Sequence, residues 1–297
     1  MTWTERIVIR DGVRLSCRDW GGSGSPVLLL HGLAGHAGEF DAVAAHLSAR
    51  HRVVALDQRG HGASERRPAD VSREAHVADV LAVAARLGLD RPVLVGQSLG
   101  GHTAMLTAAA HPDLVRGLVL VDAGPAAAAP DTPATIDEGL GSWPLPFPSL
   151  DAAREFLGSD AWAAGLERRH DGWYPRFDRD VMVAAITPVT TRPWWPEWQR
   201  VACPALVVLG ERGIVPPAES AEMLRLAGPD TTLVSVPGSG HDVHLDRPEV
   251  LHPLLSGFLD ARGAPPPPPP PDPGPPRKPG CASPVPGIRV DPRGTAQ

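Results

Sequence analysis

Four nearly unbroken apolar runs lie in the first half of the chain: VLLL (27–30), RVVAL (52–56), PVLVG (92–96) and LVRGLVLVD (114–122). A strand that is apolar on both faces must be covered on both faces. Stretches of helical period separate the runs. One spans about Ala37 to Ala49. Another runs from Ser72 to Leu87, where Val77, Val80, Leu81, Ala84 and Leu87 recur at three and four residues and Ser72 stands in the N-cap position. A third follows PVLVG and continues to about Ala110. Strand and helix in alternation predict an α/β architecture, a mostly parallel sheet flanked by helices. Ahead of it, RIVIR and VRLSCRDW flank Asp11-Gly12, which predicts a hairpin and an antiparallel edge. The rhythm returns late, with ALVVLG (205–210), a helix around Ala218 to Ala227, TLVSV (232–236) and a helix from about Pro248 to Ala261. A chain of 297 residues accommodates one such domain of about 250 residues.

Between about Gly124 and Val201 the rhythm breaks. Six tryptophans fall there, Trp143, Trp162, Trp173, Trp194, Trp195 and Trp198, with proline-rich corners at WPLPFP and RPWWPEW. The segment 125–199 is expected to be a helical, aromatic-rich cap inserted into a core made of 1–124 and 200–262. Its aromatics are expected to form a small core of their own, with some left to line a pocket. Residues 263–297 change character again: 14 of the 35 prolines lie in the last 36 residues, seven of them consecutive. A disordered tail is expected, inert or bound by an SH3- or WW-like partner. The net charge of −6 argues against nucleic acid or an anionic membrane as partner. Cys17, Cys203 and Cys281 are too few and scattered for a disulfide framework or a zinc site. With no apolar leader and no apolar window of membrane-spanning length, a cytoplasmic protein is expected.

In open parallel sheets, ligands bind beyond the carboxyl ends of the strands. Four places follow such ends: His31-Gly32, Asp57, Ser98 and Asp122. Gly96-Gln97-Ser98-Leu99-Gly100 reads G-x-S-x-G between a strand and a helix, the pattern of a nucleophile elbow. The tight turn lifts a serine hydroxyl clear of the sheet, and the glycines remove side chains that would strike the neighbouring strand and helix. A serine nucleophile needs a base. Of twelve histidines, His46, His51, His76, His111 and His252 sit on helices or edges and are expected to be solvated. His241 lies in VPGSGHDVHLDRPE, after the last strand and before the last helix, on the same sheet edge as Ser98. His244 is expected to begin the helical segment that follows, and Asp242 to point away from His241.

These motifs in order, HG (31–32), DQRGHGAS (57–64), GQSLGG (96–101) and GSGH…PE (238–249), resemble the α/β-hydrolase fold over about residues 5 to 260. The resemblance implies a nucleophile at Ser98, a histidine at His241, and an oxyanion hole from the backbone N–H groups of Leu33 and Leu99. It implies architectural roles for His31, Arg59 and Gly60. One departure stands out. Members of the family usually carry the acid after the seventh strand, in wording like G-E-x-D, where this chain reads Gly210-Glu211-Arg212-Gly213. Asp122, at the end of the sixth strand, is the expected replacement, as in some related hydrolases. Glu211 is the alternative, and a turn-capping role is open for Asp122. The implied activity is hydrolysis of a small, largely apolar ester, lactone or thioester through an acyl-enzyme, without metal or organic cofactor. Two other readings stay open: a carbon–carbon bond hydrolase, which also keeps a serine, and a non-catalytic ligand-binding member. Relatives that use an aspartate nucleophile are disfavoured by Ser98.

Overall fold

A computed structural model describes residues 2–261; the proline-rich tail, with its expected disorder and its SH3- or WW-like partner, lies outside the described residues. Eight strands form one sheet: β1 (Thr4–Arg10), β2 (Val13–Gly21), β3 (Pro26–Leu30), β4 (Arg52–Leu56), β5 (Val93–Gln97), β6 (Gly117–Val121), β7 (Ala205–Gly210) and β8 (Thr231–Val236). Their order is β1-β2-β4-β3-β5-β6-β7-β8. The β1–β2 hairpin turns on Asp11 and Gly12, both at positive φ, the geometry a two-residue hairpin loop favours. From β4 to β8 every neighbouring pair is parallel.

The doubly apolar runs are explained by where their side chains go. Leu28 and Leu30 of β3 join one buried cluster, and Val27 and Leu29 join the other. The same split divides Leu118 and Leu120 from Val119 and Val121 in β6. Helices Arg73–Leu87 and Ser98–Ala110 cover the first face, and Asp41–Leu47 and Pro248–Asp260 the second. Ser72 caps the first of these helices through Ala75 N–H. Strand β6 is shorter than its apolar run: Leu114 is half exposed, in a turn closed by its N–H onto His111 C=O.

Two of the histidines expected in solvent are buried. His76 lies on the inward stripe of its helix with Val80 and Val83, at i, i+4 and i+7, and is only 1% exposed. His51, just before β4, is 9% exposed.

Between β6 and β7 the chain passes through helices Thr132–Gly141, Leu150–Leu157, Asp160–Ala164, Arg179–Thr190 and Trp195–Gln199, with a short ribbon pairing Glu167–Arg168 to Trp173–Tyr174. The aromatics there serve different surroundings. Phe147 forms a small local cluster with Ala153, Ala163 and Leu166, and Trp143 and Trp173 pack against it. Trp194 and Trp198 join the cluster beside the sheet instead, where Trp198 Nε1 donates to Met223 C=O. Trp143 and Trp162 face a cavity at the carboxyl edge of the sheet. No described helix is long and apolar enough to cross a membrane.

Candidate active site

Register aligns the residues that leave the strands. Gln97 pairs with Val121, and Val121 with Val208, so Ser98 and Asp122 emerge side by side. Both have positive φ, +50° for Ser98 and +46° for Asp122, conformations a non-glycine residue rarely adopts. Each marks a chain forced sharply off a strand. The glycines around Ser98 are demanded by space. A Cβ on Gly96 would strike the Gly100 backbone, and one on Gly100 would strike the carbonyls of Leu30 and His31. One on Gly101 would press on Ala123, and one on Gly32 would overlap the Gln97 side chain. The His31-Gly32 turn is thereby seated directly on the Ser98 turn.

Asp122 is fully buried and saturated with donors. Its Oδ1 accepts from Gly210 N–H at 3.2 Å, and its Oδ2 from Ile214 N–H at 2.8 Å. His241 Nδ1 stands 2.6 Å from the same Oδ2. Charge-assisted bonds of this kind are about twice as strong as neutral ones. The alternative acid, Glu211, is exposed and turned outward, its Oε2 accepting from Gly238 N–H at 2.8 Å. Gly213 explains why the two acid positions exclude each other. A Cβ there would overlap Asp122 Oδ1 and Cγ, so a side chain at 213 and the carboxylate of Asp122 compete for one space.

Ser98 and His241 line one cavity of about 720 Å³ together with Leu33 and Leu99. Leu99 is the second residue of helix Ser98–Ala110, so its N–H is among the first four that the helix itself cannot satisfy. Leu33 lies beside Ala34, another residue at positive φ, and packs with Leu99, Ala185 and Val189. The remaining wall is largely apolar, from Ala126 to Ala129, Ile136, Leu140, Ile186 and Ile214.

His31 and Arg59 stay out of the cavity. His31 Nε2 accepts from Gln58 N–H at 3.0 Å and its Nδ1 lies 2.7 Å from Gly32 C=O. Arg59 makes a buried two-pronged pair with Asp79 at 2.6 and 2.7 Å. Gly60 has φ +81°, and a Cβ there would press on Val181. His244 falls in the short helix Val243–Asp246, buried 3.6 Å from Glu39. Asp242 bonds elsewhere than to the His241 ring: it lines the cavity, its Oδ1 accepting from Gln97 Nε2 at 3.1 Å and its Oδ2 from Trp162 Nε1 at 3.2 Å.

Two lining groups escaped the sequence reading. Glu219 is in the first turn of helix Pro217–Leu226, its Oε1 accepting from Ala126 N–H at 2.9 Å, and burial raises its pKa. Its place after β7 at the carboxyl edge was the available signal. His102, one turn beyond Ser98, is 3% exposed and takes a hydrogen bond at Nδ1 from Arg73 Nε at 3.3 Å. Among the described residues there is no cluster suited to a metal ion.

Residues 25–248 match the model of the alpha/beta hydrolase fold family. The chain belongs to that family. It is 29% identical over 251 residues to 2-(acetamidomethylene)succinate hydrolase of Mesorhizobium japonicum, covering 81% of this chain and 90% of that protein. It is 31% identical over 258 residues to the sn-1-specific diacylglycerol lipase ABHD11 of Mus musculus, covering 78% and 80%. A crystal structure of E-2-(acetamidomethylene)succinate hydrolase superposes with a TM-score of 0.78 at 27% identity, over 87% of this chain and 99% of the other. This α/β hydrolase thus has relatives that are themselves hydrolases.

Proposed function

We propose that the protein is a serine hydrolase that cleaves a small, largely apolar carboxylic ester, lactone or thioester through an acyl-enzyme. The observation that carries the reading is the 2.6 Å contact of His241 Nδ1 with buried Asp122, at a cavity that also holds Ser98 on its strained turn. Ser98 Oγ attacks the acyl carbonyl while His241 Nε2 takes its proton. The Asp122 carboxylate holds the Nδ1–H tautomer and stabilises the imidazolium. The N–H groups of Leu33 and Leu99 receive the oxyanion, where loss of one donor typically costs about 100- to 1,000-fold. His241 then protonates the leaving group, and water activated by His241 releases the acid.

The segment between β6 and β7 acts as a cap, since Ala126–Ala129, Ile136, Leu140 and Ile186 supply most of the apolar wall. Of the substrates in the relatives' names, a succinate derivative and diacylglycerol, the ester suits this lining better. A cytoplasmic setting, where thiols stay reduced, suits the buried free thiol of Cys17.

A fluorophosphonate probe tests the assignment. Labelling that maps to Ser98 and disappears in Ser98→Ala, with turnover of p-nitrophenyl esters, is the expected result. Absence of labelling in the folded protein refutes it and favours a non-catalytic binder.

A further inference from the structure

The charge of the cavity narrows the substrate class; this step rests on the esterase reading above. Two carboxylates, Asp242 and Glu219, line the cavity, and among the described residues no lysine or arginine does. The partners of Asp242 are the neutral donors Gln97 and Trp162, which orient its charge without cancelling it. Glu219 accepts from a backbone N–H, and both burial and the nearby Asp122 oppose its ionisation, as expected where no cation compensates.

The remaining candidates for positive charge do not supply it. His102 accepts at Nδ1 from Arg73 and so carries its proton on Nε2, and burial followed by Arg73 depresses its pKa well below the usual value. Arg73 itself lies behind the Ser98 turn, bonded to Leu99 C=O at 3.2 Å and to Thr103, outside the lining. His241 is tied to Asp122, whose charge offsets an imidazolium.

We infer that this cavity accepts acyl groups without negative charge, and that Asp242 is the specificity residue that excludes carboxylate-bearing substrates. An anionic acyl chain would give up its water for an apolar wall and meet uncancelled negative charge. A single like charge about 6 Å away, at an effective dielectric constant of about 20, disfavours it by roughly 100-fold.

The test uses an ester pair that differs only at the far end: p-nitrophenyl hexanoate, and mono-p-nitrophenyl adipate, in which a carboxylate replaces the terminal methyl group. The expected result is a kcat/KM for the adipate ester lower by roughly 100-fold, mostly through KM. Asp242→Asn should bring the ratio to within about tenfold, whereas Glu219→Gln, at a carboxyl whose ionisation burial and Asp122 oppose, should change it less. Because only the ratio is read, a general loss of activity does not mimic the result. A wild-type ratio within about threefold, or a ratio unchanged in Asp242→Asn, overturns the inference. A second measurement is independent of turnover. In Ser98→Ala, tryptophan fluorescence from Trp143 and Trp162 should report methyl hexanoate binding and little binding of monomethyl adipate at the same concentration; equal binding overturns the inference. If wild-type protein hydrolyses neither p-nitrophenyl ester, the esterase reading fails, and this binding pair alone decides the charge preference.

Discussion

Asp122→Asn separates a carboxylate that orients His241 from one that merely braces a turn. Asp122 Oδ2 takes two hydrogen bonds, from Ile214 N–H and His241 Nδ1–H, while Oδ1 takes one, from Gly210 N–H. An asparagine has one acceptor oxygen. Its better orientation keeps that oxygen at the Oδ2 position and turns the NH₂ group against Gly210 N–H, so one bond is lost and two lose their charge. With hydrogen bonds to charged groups contributing about 1.5–3 kcal/mol each, the fold should lose roughly 2–4 kcal/mol. Turnover should fall much further. The imidazolium formed as Ser98 attacks loses its counter-charge even with the amide oxygen still accepting from His241 Nδ1–H, and the same exchange costs up to about 10,000-fold in a serine-protease triad, where the wrong tautomer is held. That factor corresponds to roughly 5.5 kcal/mol of transition-state stabilisation. The assay is kcat on p-nitrophenyl hexanoate beside thermal unfolding, with Glu211→Gln as the matched control. Among the described residues the Glu211 carboxylate accepts from Gly238 N–H alone, at the surface, so its variant should remain within about threefold of wild type. A lowered melting temperature with turnover preserved in Asp122→Asn would refute the reasoning and leave Asp122 as a brace. A crippled Glu211→Gln would move the acid to Glu211.

Ser98→Ala should lower turnover by about a millionfold and leave the melting temperature within error; wild-type-like turnover after contaminating esterases are removed counts against the serine. Gly213→Ala should reduce activity at least about 100-fold, because its Cβ displaces the Asp122 carboxylate, whereas Gly228→Ala, with its nearest neighbour Val201 C=O at 3.9 Å, should be silent in the same kinetic assay. Acid should unfold the protein through its buried histidines. His61 is held down to about 3, and His31, His76 and His102 are also depressed by burial, so the unfolded chain binds protons that the fold refuses. The stability is therefore complete above pH ~6.5 and declines as pH falls from there toward 3, by at most about 1.4 kcal/mol per pH unit for each group. A melting temperature unchanged between pH 7.5 and 5.0 would contradict it.

Much of the sheet was legible because its central strands are apolar on both faces, a pattern only a doubly covered sheet explains. The Ser98 turn was legible for a related reason: Gly96, Gly100 and Gly101 are required by backbone contacts within a few residues of the turn or from the adjoining strand. His76 was misjudged because a helix bearing a polar residue on its inner stripe looks, in one dimension, like a helix bearing it outside. Trp194 and Trp198 were assigned to the cap by position, yet their rings turn back onto the main core.

The sequence by itself determined the strand order of chemistry: a serine on a turn after β5, a histidine in the loop after β8, an empty acid position after β7 and an aspartate after β6. Those follow from local spelling, since each residue sits where a strand ends. Only the tertiary structure decided which carboxylate meets His241, since the contact joins residues 119 apart in the chain. It is set by the register of three parallel strands and by the space Gly213 leaves vacant. The acidic lining of the cavity was decided the same way. Asp242 and Glu219 come from separate loop and helix ends, and the direction of a side chain across a cavity depends on packing that no local pattern encodes.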